Sequence, residues 1–206
     1  MTHRELEHPF RQLLDGIRYV FRHVEIFALL QLSLLFSVFG LAYTAVLPAF
    51  VDRVLQQDAL AFGTLNAATG LGAVAAALWT ARYGVSSSRG KILVAATLLF
   101  PITLFFFALN SNFYVSLLIA FFLGLGFVIY FIINPLLQAR VEDSMRGRVL
   151  SLYTLTYWGL APFGNLSVGN LAETWGLSAA IAWSAMVAFA LTLIVWLLVP
   201  KLRMWK

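Results

Sequence analysis

The chain has 206 residues, of which 61% are hydrophobic and 11% charged, with a formal net charge of +5 and no cysteine. Soluble domains use roughly 25% charged residues, so this composition excludes an ordinary soluble domain, and the missing cysteine excludes disulfides, thiolate chemistry and Cys-based metal sites. The cations are spread over separate loops rather than gathered on one polar face, so the basic balance is no argument for nucleic-acid binding.

The chain opens with a charged segment, residues 1–25, that has acids and bases throughout and lacks the apolar stretch of a cleaved signal peptide. Within it Phe10, Leu13, Leu14, Ile17 and Phe21 recur at three-to-four spacing, opposite Arg11, Gln12, Asp15, Arg18 and Arg22, with Pro9 just ahead. That spacing predicts an amphipathic helix lying on the membrane surface, either a resting connector or a lipid-sensing element. Six apolar runs follow, at about 26–50, 64–81, 92–109, 113–137, 149–171 and 179–199, and a short tail, 200–206, closes the chain. Each run has roughly 18 to 25 residues, enough at 1.5 Å per residue to cross a hydrocarbon core of about 30 Å. No Asp, Glu, Lys, Arg or His falls inside these runs, which removes the usual carriers of ion or proton coupling.

Thirteen of the 14 Lys and Arg residues lie in every second gap between the runs. The exception is Arg53. Cationic loops stay on the cytoplasmic face, so six spans with both termini cytoplasmic are expected, in the plasma (inner) membrane. The fold expected is all-α: six transmembrane helices behind a surface amphipathic helix.

Polar residues are unequally shared among the spans. Ser33, Ser37, Gly40 and Thr44 fall on one face of the first, and Gly63, Asn66, Gly70, Ala73 and Ala77 on one face of the second. The fourth brings Gly126, Tyr130 and Asn134 near one another, and the fifth aligns Ser151, Thr154, Trp158, Asn165 and Gly169. The third and sixth carry only scattered Ser and Thr and are expected to face lipid. Ser37, Thr44, Asn66, Tyr130, Asn134, Trp158 and Asn165 are therefore the candidate substrate path. Interhelical packing and hydrogen bonding would use the same residue types, and both readings stand at this point. Pro48, Pro101, Pro135 and Pro162 lie within the spans, and each predicts a kink or a locally opened turn.

Two short matches relate the first three spans to the last three. Asn66-x-x-x-Gly70 recurs as Asn165-x-x-x-Gly169, and the order Gly40, Tyr43, Pro48 recurs as Gly126, Tyr130, Pro135. A relation three spans apart reverses orientation in the membrane, which is a three-plus-three inverted repeat of the kind found in secondary transporters.

Three segments, GIRYVFRHVEIFALLQLSLLFSVFGLAYTAVLPAF (16–50), GTLNAATGLGAVAAAL (63–78) and ARVEDSMRGRVLSLYTLTYWGLAPFGNLSVGNLAETWG (139–176), resemble the second half of major facilitator superfamily permeases. The similarity is to the drug and siderophore efflux branch, the enterobactin-exporter-like group. Its most specific part is Asp143-x-x-Arg146-Gly147-Arg148 running into Gly159-Leu160-Ala161-Pro162. The resemblance implies half of a permease fold, with the four polar-striped spans lining a central cavity and the third and sixth peripheral. The Gly-rich loop signature after the second span keeps Arg82, Gly84, Arg89, Gly90 and Lys91 but lacks its acid, and the chain begins inside what resembles the linker between halves.

Asp143 precedes the fifth span and can cap its amides, while Arg146 and Arg148 can pair with acids such as Glu142 or with lipid phosphates. The resemblance gives Asp143, Arg146 and Arg148 a further role as a charge latch at a cytoplasmic gate. The function expected is half of a secondary-active efflux permease working by alternating access, with a small amphipathic substrate. Its partners are membrane lipid and a second six-helix half, either an N-terminal half or a second copy; no nucleic acid, cofactor or metal is expected. A truncated, non-transporting remnant or a small membrane interaction protein is the alternative. An enzyme is disfavoured because His3, His8 and His23 all precede the first span and no nucleophile motif of the G-x-S-G type occurs. A channel is disfavoured because no filter loop or ring-forming acid lies between the spans.

Overall fold

In lipid, backbone N–H and C=O groups are satisfied only within a helix or a closed barrel, and each apolar run here takes the helical solution. The computed structural model describes residues 9–83 and 89–204, and no strand occurs among the described residues. The cations Arg4 and Lys206, His3, His8, and Gly84 of the loop signature lie outside them.

The elements are α1 (Pro9–Arg22), α2 (Val24–Leu35), α3 (Tyr43–Arg53), α4 (Ala59–Tyr83), α5 (Arg89–Leu109), α6 (Phe113–Leu125), α7 (Val128–Arg140), α8 (Asp143–Thr154), α9 (Ala161–Trp175) and α10 (Leu177–Leu198), followed by a 3-10 turn at Pro200–Met204. Among the described residues, five helical stretches are long and apolar enough to cross a membrane: Val24–Arg53, Ala59–Arg82, Arg89–Leu109, Phe113–Arg140 and Leu177–Leu198. The remaining expected crossing, the fifth in chain order at about 149–171, falls in α8 and α9, which are not among the five. Ser151, Thr154, Thr156, Asn165, Ser167 and Asn170 dilute its apolar content, so it is the most polar of the long helical stretches.

Side-chain caps set two of the helix starts. Asn112 Oδ1 accepts from the backbone N–H groups of Tyr114 at 3.0 Å and Val115 at 3.2 Å, and Asp58 Oδ1 accepts from that of Ala61 at 3.0 Å. Gly176, at φ +86°, makes the turn between α9 and α10, a backbone state that side chains with a Cβ disfavour.

Among the described residues three helical stretches are interrupted, and the interruptions fall at glycines rather than at the prolines. A π turn at Phe36–Gly40 joins α2 to α3, and a second at Leu155–Gly159 joins α8 to α9. In each, an amide reaches five residues back: Leu41 N–H to Phe36 O at 2.8 Å, and Leu160 N–H to Leu155 O at 3.1 Å. The break between α6 and α7 lies at Gly126, where the bonds tighten to three-residue spacing. Pro48, Pro101 and Pro135 sit inside continuous α-helices, and Pro162 opens α9 just after its π turn.

Helix α5 lies along α10, and α4 crosses α6. The α5 and α10 seam is buried, with Leu93, Leu104, Phe107, Ala185 and Trp196 inside, and the Trp196 indole N–H donates to Thr97 Oγ1 at 2.9 Å. The outer surfaces of this pair are apolar, with Leu99, Ile102, Phe106, Ile194 and Leu197 exposed, as expected for the third and sixth spans. The α4 and α6 crossing is close because Gly72 and Gly124 meet backbone to backbone; a Cβ on Gly124 would lie 2.9 Å from the Gly72 Cα.

Candidate substrate path and gate

The polar spans divide into a buried cluster and an exposed face. In the cluster, the Ser37 hydroxyl is buried in the first span and donates to the backbone carbonyl of Tyr157. Tyr130 from α7 stands with its ring 5.0 Å from Tyr157 and 6.1 Å from Tyr153, which are themselves 6.1 Å apart. Phe36 stacks on Tyr157 at 6.1 Å, and Trp158 meets it edge-on at 5.0 Å. Three path residues, Ser37, Tyr130 and Trp158, thus converge on Tyr157. Neither Tyr153 nor Tyr157 was singled out from sequence, although their i, i+4 spacing on the fifth span was a usable signal. The hydroxyls of Ser33, Tyr153 and Tyr157 are buried with no hydrogen-bond partner among the described residues.

The other four path residues stand apart from this cluster. Thr44 is exposed and bonds back to Leu41 O at 2.8 Å, and Asn66 is exposed and donates to Phe62 O at 2.9 Å. Asn134 is half-buried and accepts from Gln138 at 2.5 Å, while Asn165 is half-buried on α9. A cavity of ≈ 350 Å³ between α4, α5 and α7 is lined by residues that include Ala77, Thr80, Arg89, Phe131 and Pro135, but by none of the seven.

Exposure follows the stripes in part, on α4 and on the α8 and α9 stretch. Gly63, Asn66 and Gly70 on α4 are exposed, and a Cβ on either glycine would meet nothing. On the fifth span Ser151, Thr154 and Trp158 are exposed, with Asn165 and Gly169 half-buried further along the same line. These parts of α4 and of the α8 and α9 stretch are open among the described residues, whereas Ser33, Ser37 and Gly40 of the first stripe and Gly126 of the fourth are buried. The packing glycines are Gly72, Gly124 and Gly164, the last set against the Val38 carbonyl.

The gate residues form two linked contacts. Arg146 pairs with Asp143 at 2.5 Å and donates through Nε to the Gln138 carbonyl at 3.0 Å, tying the start of α8 to the end of α7. Arg148 Nη1 donates to Asp15 Oδ2 of α1 at 3.3 Å. Its partner is thus the amphipathic helix, not Glu142, whose backbone N–H instead donates to the Tyr19 hydroxyl at 3.4 Å. Glu142 occupies the cap position of α8 without a side-chain cap bond, so Asp143 serves its arginine and the positive helix end rather than capping the amides. Gly16 lets α1 close on α8; a Cβ there would lie 3.2 Å from the Arg148 Cβ.

Titratable metal ligands do not gather here: no group of three or more His, Cys, Asp or Glu side chains able to hold a metal occurs among the described residues. Among known proteins, residues 3–206 match the family model described as transmembrane secretion effector, a family of the major facilitator type. No curated protein and no solved structure matches the chain. With apolar helices long enough to span a bilayer and a match running almost end to end, this integral membrane protein belongs to the transmembrane secretion effector family of major facilitator permeases.

Proposed function

We propose that the chain is one half of a secondary-active efflux permease, exporting a small amphipathic substrate by alternating access. The observation that carries this reading is the exposed polar face of α4 and of the α8 and α9 stretch, with Asn66, Thr154 and Trp158 uncovered. Amides and hydroxyls facing lipid cost free energy, so such a face belongs against water or against another bundle. Alternating access supplies both, because two six-helix bodies rock about a path that each lines on one side.

In this reading the Asp143-to-Trp175 stretch is a sixth crossing, the termini are cytoplasmic, and the second body is an N-terminal half or a second copy of this chain. Ser37, Thr44, Asn66, Tyr130, Asn134, Trp158 and Asn165 line the path, where the aromatics stack on apolar parts of the substrate and the amides orient it. The interruptions at Gly40, Gly126 and Gly159 are where the path-lining helices bend. Asp143, Arg146 and Arg148 hold the cytoplasmic gate through partly exposed pairs, each worth about 0 to 1 kcal/mol, weak enough to bias a two-state equilibrium without freezing it. The resemblance to drug and siderophore exporters points to export.

The test is reconstitution. Purified chain should give substrate flux in liposomes only when assembled with a second six-helix body. Flux from a strictly monomeric preparation would refute the half-permease reading, and assembly with every available second half without flux would leave the interaction-protein alternative.

A further inference from the structure

Helix α1 does more than lie across the bundle. It docks by a narrow edge, with Gly16 and Val20 buried, and leaves Leu13, Leu14 and Phe21 exposed. Beneath it opens a groove of ≈ 330 Å³ between α1, α2 and the fifth span. One wall is Phe27, Leu30 and Leu34, on successive turns of α2, and the other is Leu152 and Thr156 at i, i+4, with Phe21 at the α1 end. Seven residues at 1.5 Å each make the α2 wall about 10 Å long. The groove therefore runs along the helices, into the membrane, starting at the surface helix.

Cations stand on the same surface helix, beside the residues that line the groove rather than among them. Arg18 and Arg22 are exposed on α1, one helical position beyond Ile17 and Phe21 of the groove. Neither forms an ion pair with a described residue. Asp15, the only acid of α1, is taken by Arg148, and Glu25, the next acid along, is bonded to neither arginine. The Gln31 amide in the groove wall has no hydrogen-bond partner among the described residues, so a donor stands partway down an otherwise apolar slot. Two cations without an ion pair among the described residues, an amide donor and an apolar slot match the phosphate, the ester carbonyl and the acyl chain of a phospholipid.

We propose that this groove is a binding site for an acidic phospholipid, one acyl chain between α2 and the fifth span and the phosphate on Arg18 and Arg22. Such a lipid would wedge α1 against α8 beside the Asp15 and Arg148 pair. The site requires only that the chain span a membrane, whether or not it is half of a transporter.

The full chain, delipidated in a nonionic detergent, is titrated with dioleoyl phosphatidylglycerol or dioleoyl phosphatidylcholine and read by native mass spectrometry and by thermal midpoint. Phosphatidylglycerol should bind at least tenfold more tightly and raise the midpoint by several degrees. The Arg18→Ala, Arg22→Ala double variant should lose that preference, and the Arg18→Lys, Arg22→Lys variant, which retains the charge, should keep it. Leu30→Trp, filling the slot, should weaken both lipids, whereas Leu99→Trp on the outer face of α5 should weaken neither. Equal binding of the two lipids by the wild-type chain, or an Arg18→Ala, Arg22→Ala variant or a Leu30→Trp variant that binds as wild type does, would overturn the proposal. So would inorganic phosphate reproducing the midpoint shift, which would mark a free-anion site. Circular dichroism at matched helicity admits each variant to the comparison, and Leu30→Trp carries the test where the alanine variant fails it.

Discussion

The hydroxyls of Tyr153 and Tyr157 are buried without a protein partner, whereas the Trp196 indole N–H and Thr97 Oγ1 have found each other in an equally buried seam. The two situations predict opposite responses to the same kind of substitution. Thr97→Val strands the indole donor and should cost about 1 to 3 kcal/mol in unfolding experiments, with Trp196→Phe added on top costing little more because the partners are one unit. Tyr153→Phe and Tyr157→Phe remove an unsatisfied group and should leave stability equal or raised; a loss of more than about 1 kcal/mol would reveal a partner such as an ordered water. Phe100 illustrates the steric counterpart. Its ring occupies the space that a side chain on Gly40 or Gly126 would need, and it packs edge-on against Phe36 at 4.7 Å. Gly126→Ala should therefore destabilise by about 1 to 3 kcal/mol through overpacking, and Phe100→Leu in the same chain should recover part of it. Gly40 and Gly126 are also the two glycines matched by the short internal repeat, and in the structure they meet the same ring.

Among the elements, the polar α8 and α9 stretch and the amphipathic helix α1 bear most on function. If the polar stripes line a path, Ala substitutions at Asn66, Tyr130, Asn134, Trp158 and Asn165 should alter efflux in the assembled permease at near-normal expression. Leu98 and Phe106, on the apolar pair of helices, should tolerate the same change without a shift in selectivity. The reverse pattern, with yield lost at the first five and selectivity changed at the last two, would make the stripes packing seams. For α1, the Asp15 and Arg148 pair is partly exposed, so Asp15→Asn should cost less than about 1 kcal/mol and the loss should shrink in high salt. Gly16→Val acts differently, because a branched side chain would meet the Arg148 Cβ and Leu152 directly and lift α1 off α8. Hydrogen exchange in α1 should accelerate far more for Gly16→Val than for Asp15→Asn.

At the scale of the molecule, the cation alternation makes a sidedness prediction that the cysteine-free sequence suits well. A single cysteine at Ser111 should react with an impermeant reagent in sealed cells, and one at Ser144 only after permeabilisation. Labelling of Ser144 from outside would invert the arrangement. How far the sequence reached follows from which interactions are local. Apolar run length and backbone hydrogen bonding are properties of each segment alone, so the helices at 26–50, 64–81, 92–109, 113–137 and 179–199 were legible, as was the amphipathic α1. The stripes were legible too, because helical periodicity fixes which residues share a face. What a face meets is not periodic. Only the packed chain shows that Gly72 rather than Gly63 or Gly70 carries the α4 and α6 crossing, that the helices open at Gly40, Gly126 and Gly159 while Pro101 stays within an unbroken helix, and that Arg148 reaches across 133 residues to Asp15. Tyr153 and Tyr157 join a cluster for the same reason: their spacing is written in one helical stretch, but the Tyr130 and Phe36 rings beside them come from two others, and contact between distant segments is decided by shape.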